Sequence, residues 1–230
     1  MNLSKRLQSV ADLVSPCDTF ADIGCDHAYL SISLVQNNIA KRAIASDINA
    51  GPLKIAEEHI REAGLENCIT TIQTDGITGI FADVIAIAGM GGNLMLKILQ
   101  DSPRELKHAR ELVLQPQSEL ALFRKGLLDL GLQIVSEDFV IEDEKYYPMM
   151  KAVKGKMELD ETQANYGPIL LRDKNEGLKC FLLKQNEILT GLIRDLSKRE
   201  STRSRERLLE VKEELGLNEN ALKLMKEEIK

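Results

Sequence analysis

Thr19-Phe20-Ala21-Asp22-Ile23-Gly24-Cys25-Asp26-His27-Ala28-Tyr29-Leu30 is a short apolar run that stops at a glycine and then starts a helical pattern. It reads as a buried strand entering a tight turn, followed by a helix over residues 28–37. Toward the N-terminus, Leu3, Leu7, Val10, Ala11 and Val14 recur at helical spacing, predicting an amphipathic helix that ends near Pro16. Toward the C-terminus the same theme repeats. Residues 43–47 form a second strand ending in Asp47, followed by a helix over 52–63. A third strand, 69–73, closes on Thr74-Asp75-Gly76. A fourth, 83–88, closes on Gly89-Met90-Gly91-Gly92 before a helix through Leu99. A fifth, 111–114, is stopped by Gln115-Pro116-Gln117 and followed by a helix over 120–130. Strand alternating with helix, five times over, predicts an α/β fold with a mostly parallel sheet and helices on both faces.

Two further β-rich runs, 133–141 and about 147–153, are joined by an acidic turn and lie too close for a helical crossover. They should pair antiparallel as a terminal hairpin. That ending belongs to Rossmann-like methyltransferase sheets and not to NAD dehydrogenases. Beyond Gly155 the composition shifts, dividing the chain into a cofactor-type domain over 1–155 and a helical appendage over 156–230. Asn165-Tyr166-Gly167-Pro168 reads as a loop. Three apolar stripes follow: Leu178 to Leu196, Leu208 to Leu215, and Leu222, Met225 and Ile229. With a break at Ser201-Thr202 they predict a coiled-coil-like helical hairpin.

No apolar run reaches the length of about 18 residues needed for a membrane span, and the first residues lack the apolar core of a signal peptide. The four cysteines (17, 25, 68 and 180) have no C-x-x-C spacing, which argues against a metal site or a disulfide framework and favours a reducing cytoplasm. The net charge of −6 argues against nucleic acid as a partner, but the distribution does not. Residues 172–212 carry eleven basic side chains against seven acids. Arg194, Lys198, Arg199, Arg203, Arg205 and Arg207 crowd the predicted hairpin tip, where contact with an RNA backbone competes with simple solvation of an exposed helix face.

In α/β sheets, ligands bind where the carboxyl ends of the strands meet their loops. Gly24 lets backbone approach a ligand. Asp47, about twenty residues on, is placed to accept both ribose hydroxyls of an adenosine, with Ile48 beside it. Asp75-Gly76 suits an adenine amine, and Ala88-Gly89-Met90-Gly91 runs beneath the reacting group. A dinucleotide site needs G-x-G-x-x-G, whereas here Gly24 is followed by Asp26 and Ala28, so a pyrophosphate would face a carboxylate. Like charges about 4 Å apart repel by roughly 1 kcal/mol even in water. S-adenosylmethionine, with a sulfonium and an ammonium group, has the opposite demand, which Asp22 and Asp26 meet.

Asp22 to Leu30, the turn Gly51-Pro52, Ile87-Ala88-Gly89-Met90-Gly91-Gly92 and Leu114-Gln115-Pro116-Gln117 resemble the bacterial tRNA (adenine-22 N1)-methyltransferase family. The opening Ser4-Lys5-Arg6-Leu7 and the helical tail fit as well. The resemblance implies methylation of N1 of an adenine in the D-arm region of tRNA, with S-adenosylmethionine as donor. The apolar stripes of the helical hairpin could pack internally or against another chain, which leaves oligomeric state open, with a monomer as the expectation. Folds of this type commonly have glycine where Asp26 sits, so Asp26-His27 must have a particular task.

Several roles stay open at this level. Asp26 either stabilises charge developing on the base or binds cofactor and caps the next helix. His27 is a structural hydrogen bonder or a proton shuttle. Asp22 binds cofactor or orients the glycine loop. Tyr29 and Met90 are candidates for stacking the target adenine, whose Watson–Crick edge must first be freed. Gly89 to Gly92 serve the site or tight packing; Gln115 to Gln117 touch substrate or form a plain turn; Tyr146 and Tyr147 pack. Two other functions compete: a methyltransferase for a small molecule or protein, and a non-catalytic RNA-binding module with this fold.

Overall fold

The computed structural model describes residues 3–199 and 201–226. The element order is α1 (Lys5–Leu13), β1 (Cys17–Ile23), α2 (Tyr29–Gln36), β2 (Ala40–Asp47), α3 (Ala50–Glu62), β3 (Ile69–Gln73), β4 (Val84–Met90), α4 (Gly92–Asp101), α5 (Pro103–His108), β5 (Glu111–Pro116), α6 (Leu120–Asp129), β6 (Leu132–Glu142) and β7 (Lys145–Lys154). Then come α7 (Glu161–Tyr166), α8 (Pro168–Arg172), α9 (Glu176–Leu196) and α10 (Thr202–Lys226). The chain forms two compact units, one running to Met157 and the other starting at Glu158.

The first unit is built on a seven-stranded sheet of order β3-β2-β1-β4-β5-β7-β6. Strands β1 to β5 are parallel, and β7 runs antiparallel to both β5 and β6. The order reverses between β1 and β4, which places a crevice at their carboxyl ends. Helices cover both faces, so the central strands are apolar without alternation: Phe20 to Ile23 and Val84 to Ile87 are all buried. The terminal hairpin turns at Asp143 and Glu144, both with positive φ. Two successive left-handed residues make the turn whose twist matches paired strands.

Several expected boundaries move. The first helix stops at Leu13, short of Pro16. Strands β4 and β5 each run two residues further than their apolar runs, because Met90 pairs with Pro116 across an irregularity at Gly89. The third crossover contains no helix; residues 74–83 cross from β3 to β4 as a loop. Helix α5 was not anticipated, although Pro103 stands in its first turn, where a missing N–H costs nothing. The segment expected as a loop, 165–168, is helix on both sides of Gly167. Asp160 and Gln163 form a reciprocal capping box that starts α7.

In the second unit α9 and α10 pair with a connection over 197–201. Asn186 faces Asn218, and the Asn218 amide donates to Leu182 O at 2.9 Å. Residues before and after the connection therefore meet in antiparallel register. Leu178, Leu182, Leu189, Val211, Ala221 and Met225 are buried along the stripe. Ile229 of the third stripe lies outside the described residues. No helix among the described residues is long and apolar enough to cross a membrane.

Candidate active site

The loop after β1 has a demanding backbone. Gly24, Asp26 and Ala28 all have positive φ (69°, 52° and 60°). For the two non-glycine residues this conformation costs on the order of 1–2 kcal/mol each, a strain that persists only where its surroundings hold it. The left-handed backbone at residue 26 explains why glycine suits this position in related folds, and aspartate is among the side chains that tolerate it best. Two contacts hold the loop. The backbone N–H groups of Gly24 and Cys25 both donate to Ser46 O, at 2.8 and 2.9 Å. On the far side His59, in α3, donates from Nδ1 to His27 O at 3.1 Å and stacks on Tyr29 with ring centroids 4.9 Å apart.

This loop, the end of β4 and the first turn of α1 enclose a cavity of about 270 Å³. Its lining includes Asp22, Gly24, Asp26, His27, Tyr29, Ala88 and Gly89, all anticipated as site residues, together with Arg6, Leu7, Cys25, Leu30 and Gln117. Asp22 is buried and accepts a hydrogen bond from Ser31 Oγ at 3.0 Å. Burial pushes its carboxyl up to about 6, against the hydrogen bonds from Ser31. Burial, reinforced by the nearby Asp22 and Asp47 carboxylates, pushes the Cys25 thiol up, so it is no nucleophile here. Asp26 is exposed, with Oδ1 3.5 Å from His27 Nε2. His27 Nδ1 is buried with no hydrogen-bond partner among the described residues.

Other anticipated residues stand on the same rim without lining the cavity. Asp47 ends β2 and accepts the backbone N–H of Asn49 at 2.8 Å; Ile48 beside it is 56% exposed, an unusually bare apolar side chain. Asp75 is exposed after β3, and Gly76 packs on Ile98. The Met90 side chain lies over Gly24, where a Cβ would come within 2.4 Å of the Met90 methyl carbon. That contact places Met90 against the glycine loop. Tyr29 has one ring face taken by His59, leaving only the other for a base.

The glycine run after β4 divides by task. Gly89 has φ of 82° and lies at the cavity, while Gly92 is buried where a Cβ would meet Ser118 O at 2.6 Å. Gly91 caps α4. Gln115 turns out to be a buried acceptor at the heart of the rim. Its Oε1 receives both the Gly89 N–H and the Arg6 Nη1, each at 3.1 Å. Tyr147 packs under the Arg6 guanidinium, 5.7 Å from carbon to ring centroid. The opening Ser4-Lys5-Arg6-Leu7 carries part of the family resemblance but gives Arg6 no site role, since helical periodicity says nothing about which strand ends the first turn of α1 will meet.

The six basic residues of the tail are all exposed. Arg194 lies in the last turn of α9, Lys198 and Arg199 in the connection, and Arg203, Arg205 and Arg207 at the start of α10. Arg207 is bound to Glu210 and Glu214, and Lys198 approaches Asp195. Among the described residues the other four arginines have no ion-pair partner. No group of three His, Cys, Asp or Glu among the described residues is placed to hold a metal.

The fold has close counterparts among known proteins. A family described as a methyltransferase domain matches residues 3–150. The tRNA (adenine(22)-N(1))-methyltransferase of Bacillus subtilis (strain 168) is 35% identical over 184 residues, covering 76% of this chain and 77% of that protein. The crystal structure of the B. subtilis m1A22 tRNA methyltransferase TrmK superposes with a TM-score of 0.85 at 30% identity, over 96% of this chain and 99% of the other. M. capricolum TrmK, solved with its natural cofactor product S-adenosyl-homocysteine, gives 0.85 at 28% identity over 97% of this chain and 99% of its own.

Proposed function

The chain belongs to the tRNA (adenine(22)-N(1))-methyltransferase family, and on that premise we propose that it methylates N1 of adenine-22 in tRNA, with S-adenosylmethionine as donor. The observation that carries this reading is the acidic, glycine-floored cleft at the β1/β4 crevice. Its residues fit a cationic donor. Asp22 and Asp26 offer two carboxylates to a sulfonium and an ammonium group, and the backbone at Gly89 lies open to the cavity, where a Cβ would come no nearer than 3.7 Å to a neighbour. Asp47 is assigned the ribose hydroxyls, with Ile48 against the adenine face and Asp75-Gly76 at its amine. Ala88, Met90 and Gly91 complete the wall.

The bound donor supplies a methyl group that the in-plane lone pair of adenine N1 takes in a direct displacement. Positioning is then the main task of the protein, and alignment can contribute up to about 7–11 kcal/mol. Met90 and the free face of Tyr29 hold the freed base. Asp26, exposed at the mouth of the cleft, stabilises the positive charge that the base acquires and accepts the proton from its exocyclic amine. His27, with Nε2 3.5 Å from Asp26, orients that carboxylate. Arg194, Lys198, Arg199, Arg203, Arg205 and Arg207 contact the tRNA backbone, where phosphate contacts position a structured RNA without reading its sequence. A cytoplasmic place of action fits a tRNA substrate and four free cysteines.

The test is transfer of labelled methyl groups to two unmodified tRNA transcripts that differ only in carrying adenine or guanine at position 22. Label is expected on the first alone, reduced at least a hundredfold by Asp26→Asn and by Asp47→Ala, with both variants weakening donor binding in calorimetry. Equal labelling of both transcripts would overturn the assignment of the base. Labelling of neither, with donor binding intact, would overturn the tRNA substrate.

A further inference from the structure

We propose that Arg6 is an oxyanion-binding residue of the cleft, taking either the carboxylate at the amino-acid end of the donor or a phosphate beside the target adenine. The inference rests on the function proposed above, but its geometry stands apart from it. Arg6 is half-buried and lines the same cavity as Asp22, Gly24 and Gly89. Its guanidinium has five N–H donors and uses one, on the neutral Oε1 of Gln115. Among the described residues no carboxylate lies within ion-pair distance of it. Glu142, which reaches the same end of α1, accepts the backbone N–H of Lys5 and of Arg6 instead.

A partly desolvated cation without a counter-charge is costly, yet this one is held firmly in place. Gln115 is fully buried and fixes Nη1 from below while also accepting the Gly89 N–H. The Tyr147 ring supports the guanidinium from the side. A Cβ on Gly89 would sit 3.7 Å from both Arg6 Nη1 and Gln117 Nε2, so two donor groups converge over this glycine. Donors that converge on an open cavity beside a planar fork suit an oxygen anion, and a carboxylate or phosphate matches the guanidinium geometry.

Arg6→Met keeps the aliphatic stem against Tyr147 and removes the charge. Gln115→Glu keeps both accepted hydrogen bonds, gives up the long one its amide donates to Pro116 O, and supplies an internal counter-charge. Arg6→Met should melt close to the parent protein and Gln115→Glu somewhat below it, and both should lose the same ligand. Calorimetry compares S-adenosylmethionine with its decarboxylated form, and tRNA binding is followed against salt. If Arg6 holds the carboxylate, the parent protein prefers the intact donor by about tenfold to a hundredfold, and both variants lose that preference. If it holds a phosphate, donor binding is unchanged, while tRNA affinity falls by a similar factor and the salt slope drops by about one. Unchanged preference together with unchanged tRNA affinity and slope would overturn the proposal. Because both readouts are binding measurements, a protein that fails to methylate adenine-22 sinks the function proposed above, while the role of Arg6 stands or falls on affinity alone.

Discussion

Buried at the end of β1, the Asp22 carboxyl holds its proton up to about 6, whereas in an unfolded chain it ionises near 3.8. Desolvation outweighs the hydrogen bonds from Ser31, and the charge on Asp26 adds to it. Between those values the folded protein keeps a proton that the unfolded chain has released. Stability therefore falls as pH rises from about 4 to about 6 and stays at the lower level above. The cost at neutral pH is of order 3 kcal/mol. Asp22→Asn should accordingly melt several degrees above the parent at pH 7.5, with the difference vanishing near pH 3.5. A cationic donor inverts the preference, since it binds best to the ionised carboxylate. Calorimetry should show parent affinity for S-adenosylmethionine falling up to about tenfold per pH unit below 6 and flat above, with Asp22→Asn weaker and flat throughout. Parent affinity that stays constant from pH 5 to 8 would remove Asp22 from the donor site.

At the scale of elements, the approach of α4 to its neighbours is set by two glycines whose surroundings differ in stiffness. A Cβ at Gly92 would meet backbone, Ser118 O at 2.6 Å, and the Phe123 Cβ at 3.1 Å. A Cβ at Gly126 would meet only the Leu96 side chain, with its methyl carbons at 2.6 and 2.7 Å. Gly92→Ala must move α4 away from the turn before α6 and should cost roughly 2–3 kcal/mol in urea unfolding. Gly126→Ala gains helix propensity of up to about 1 kcal/mol and can turn Leu96 aside, so it should cost clearly less, and Leu96→Val should recover part of the loss. Equal costs for the two glycines would show that stiffness is not what separates them. These contacts also mark how far the sequence could be read. β3 stands where its apolar run put it, and the terminal hairpin pairs as its short connection required. Short apolar runs between breakers report what is buried, and parallel strands are buried throughout. The runs say nothing about pairing beyond the core, which is how β4 and β5 gained Met90 and Pro116. For the site, the strand-end aspartates and glycines carried local signals. Arg6 and His59 did not, because their bonds, to Gln115 in β5 and to His27 O in the β1 loop, form only once α1 and α3 have packed.

At the scale of the whole molecule the question is what the net charge of −6 conceals. The cavity of the first unit, lined by Asp22 and Asp26 with Arg6 as its one cation among the described residues, has room for a small donor and at most a single anionic group. Most of a polyanion's charge must therefore be met outside it, and the tail concentrates the positive charge. The α9–α10 pair is a stiff presenter of that charge. Asn218 is buried and bonded to Asn186, Leu182 O and Gln185, which pins the register of the two helices and hence the spacing of the side chains around their connection. Arg199, Arg203 and Arg205 have no ion-pair partner among the described residues, whereas Arg207 is already neutralised by two glutamates. Changing those three arginines together to glutamate should therefore weaken tRNA binding by a factor of at least about a hundred and lower the slope of log affinity against log salt by about two. Arg207→Glu alone should weaken binding much less than the triple change, because two glutamates already offset its charge. Donor binding should stay at the parent value in both, since the cavity is untouched. The same proteins separate the competing substrates: an enzyme for a small acceptor would keep its turnover in the triple variant, and a tRNA enzyme would keep donor binding while losing turnover at low tRNA concentration. Binding that weakens without any change in salt slope would mean that the arginines shape the hairpin and do not touch phosphate.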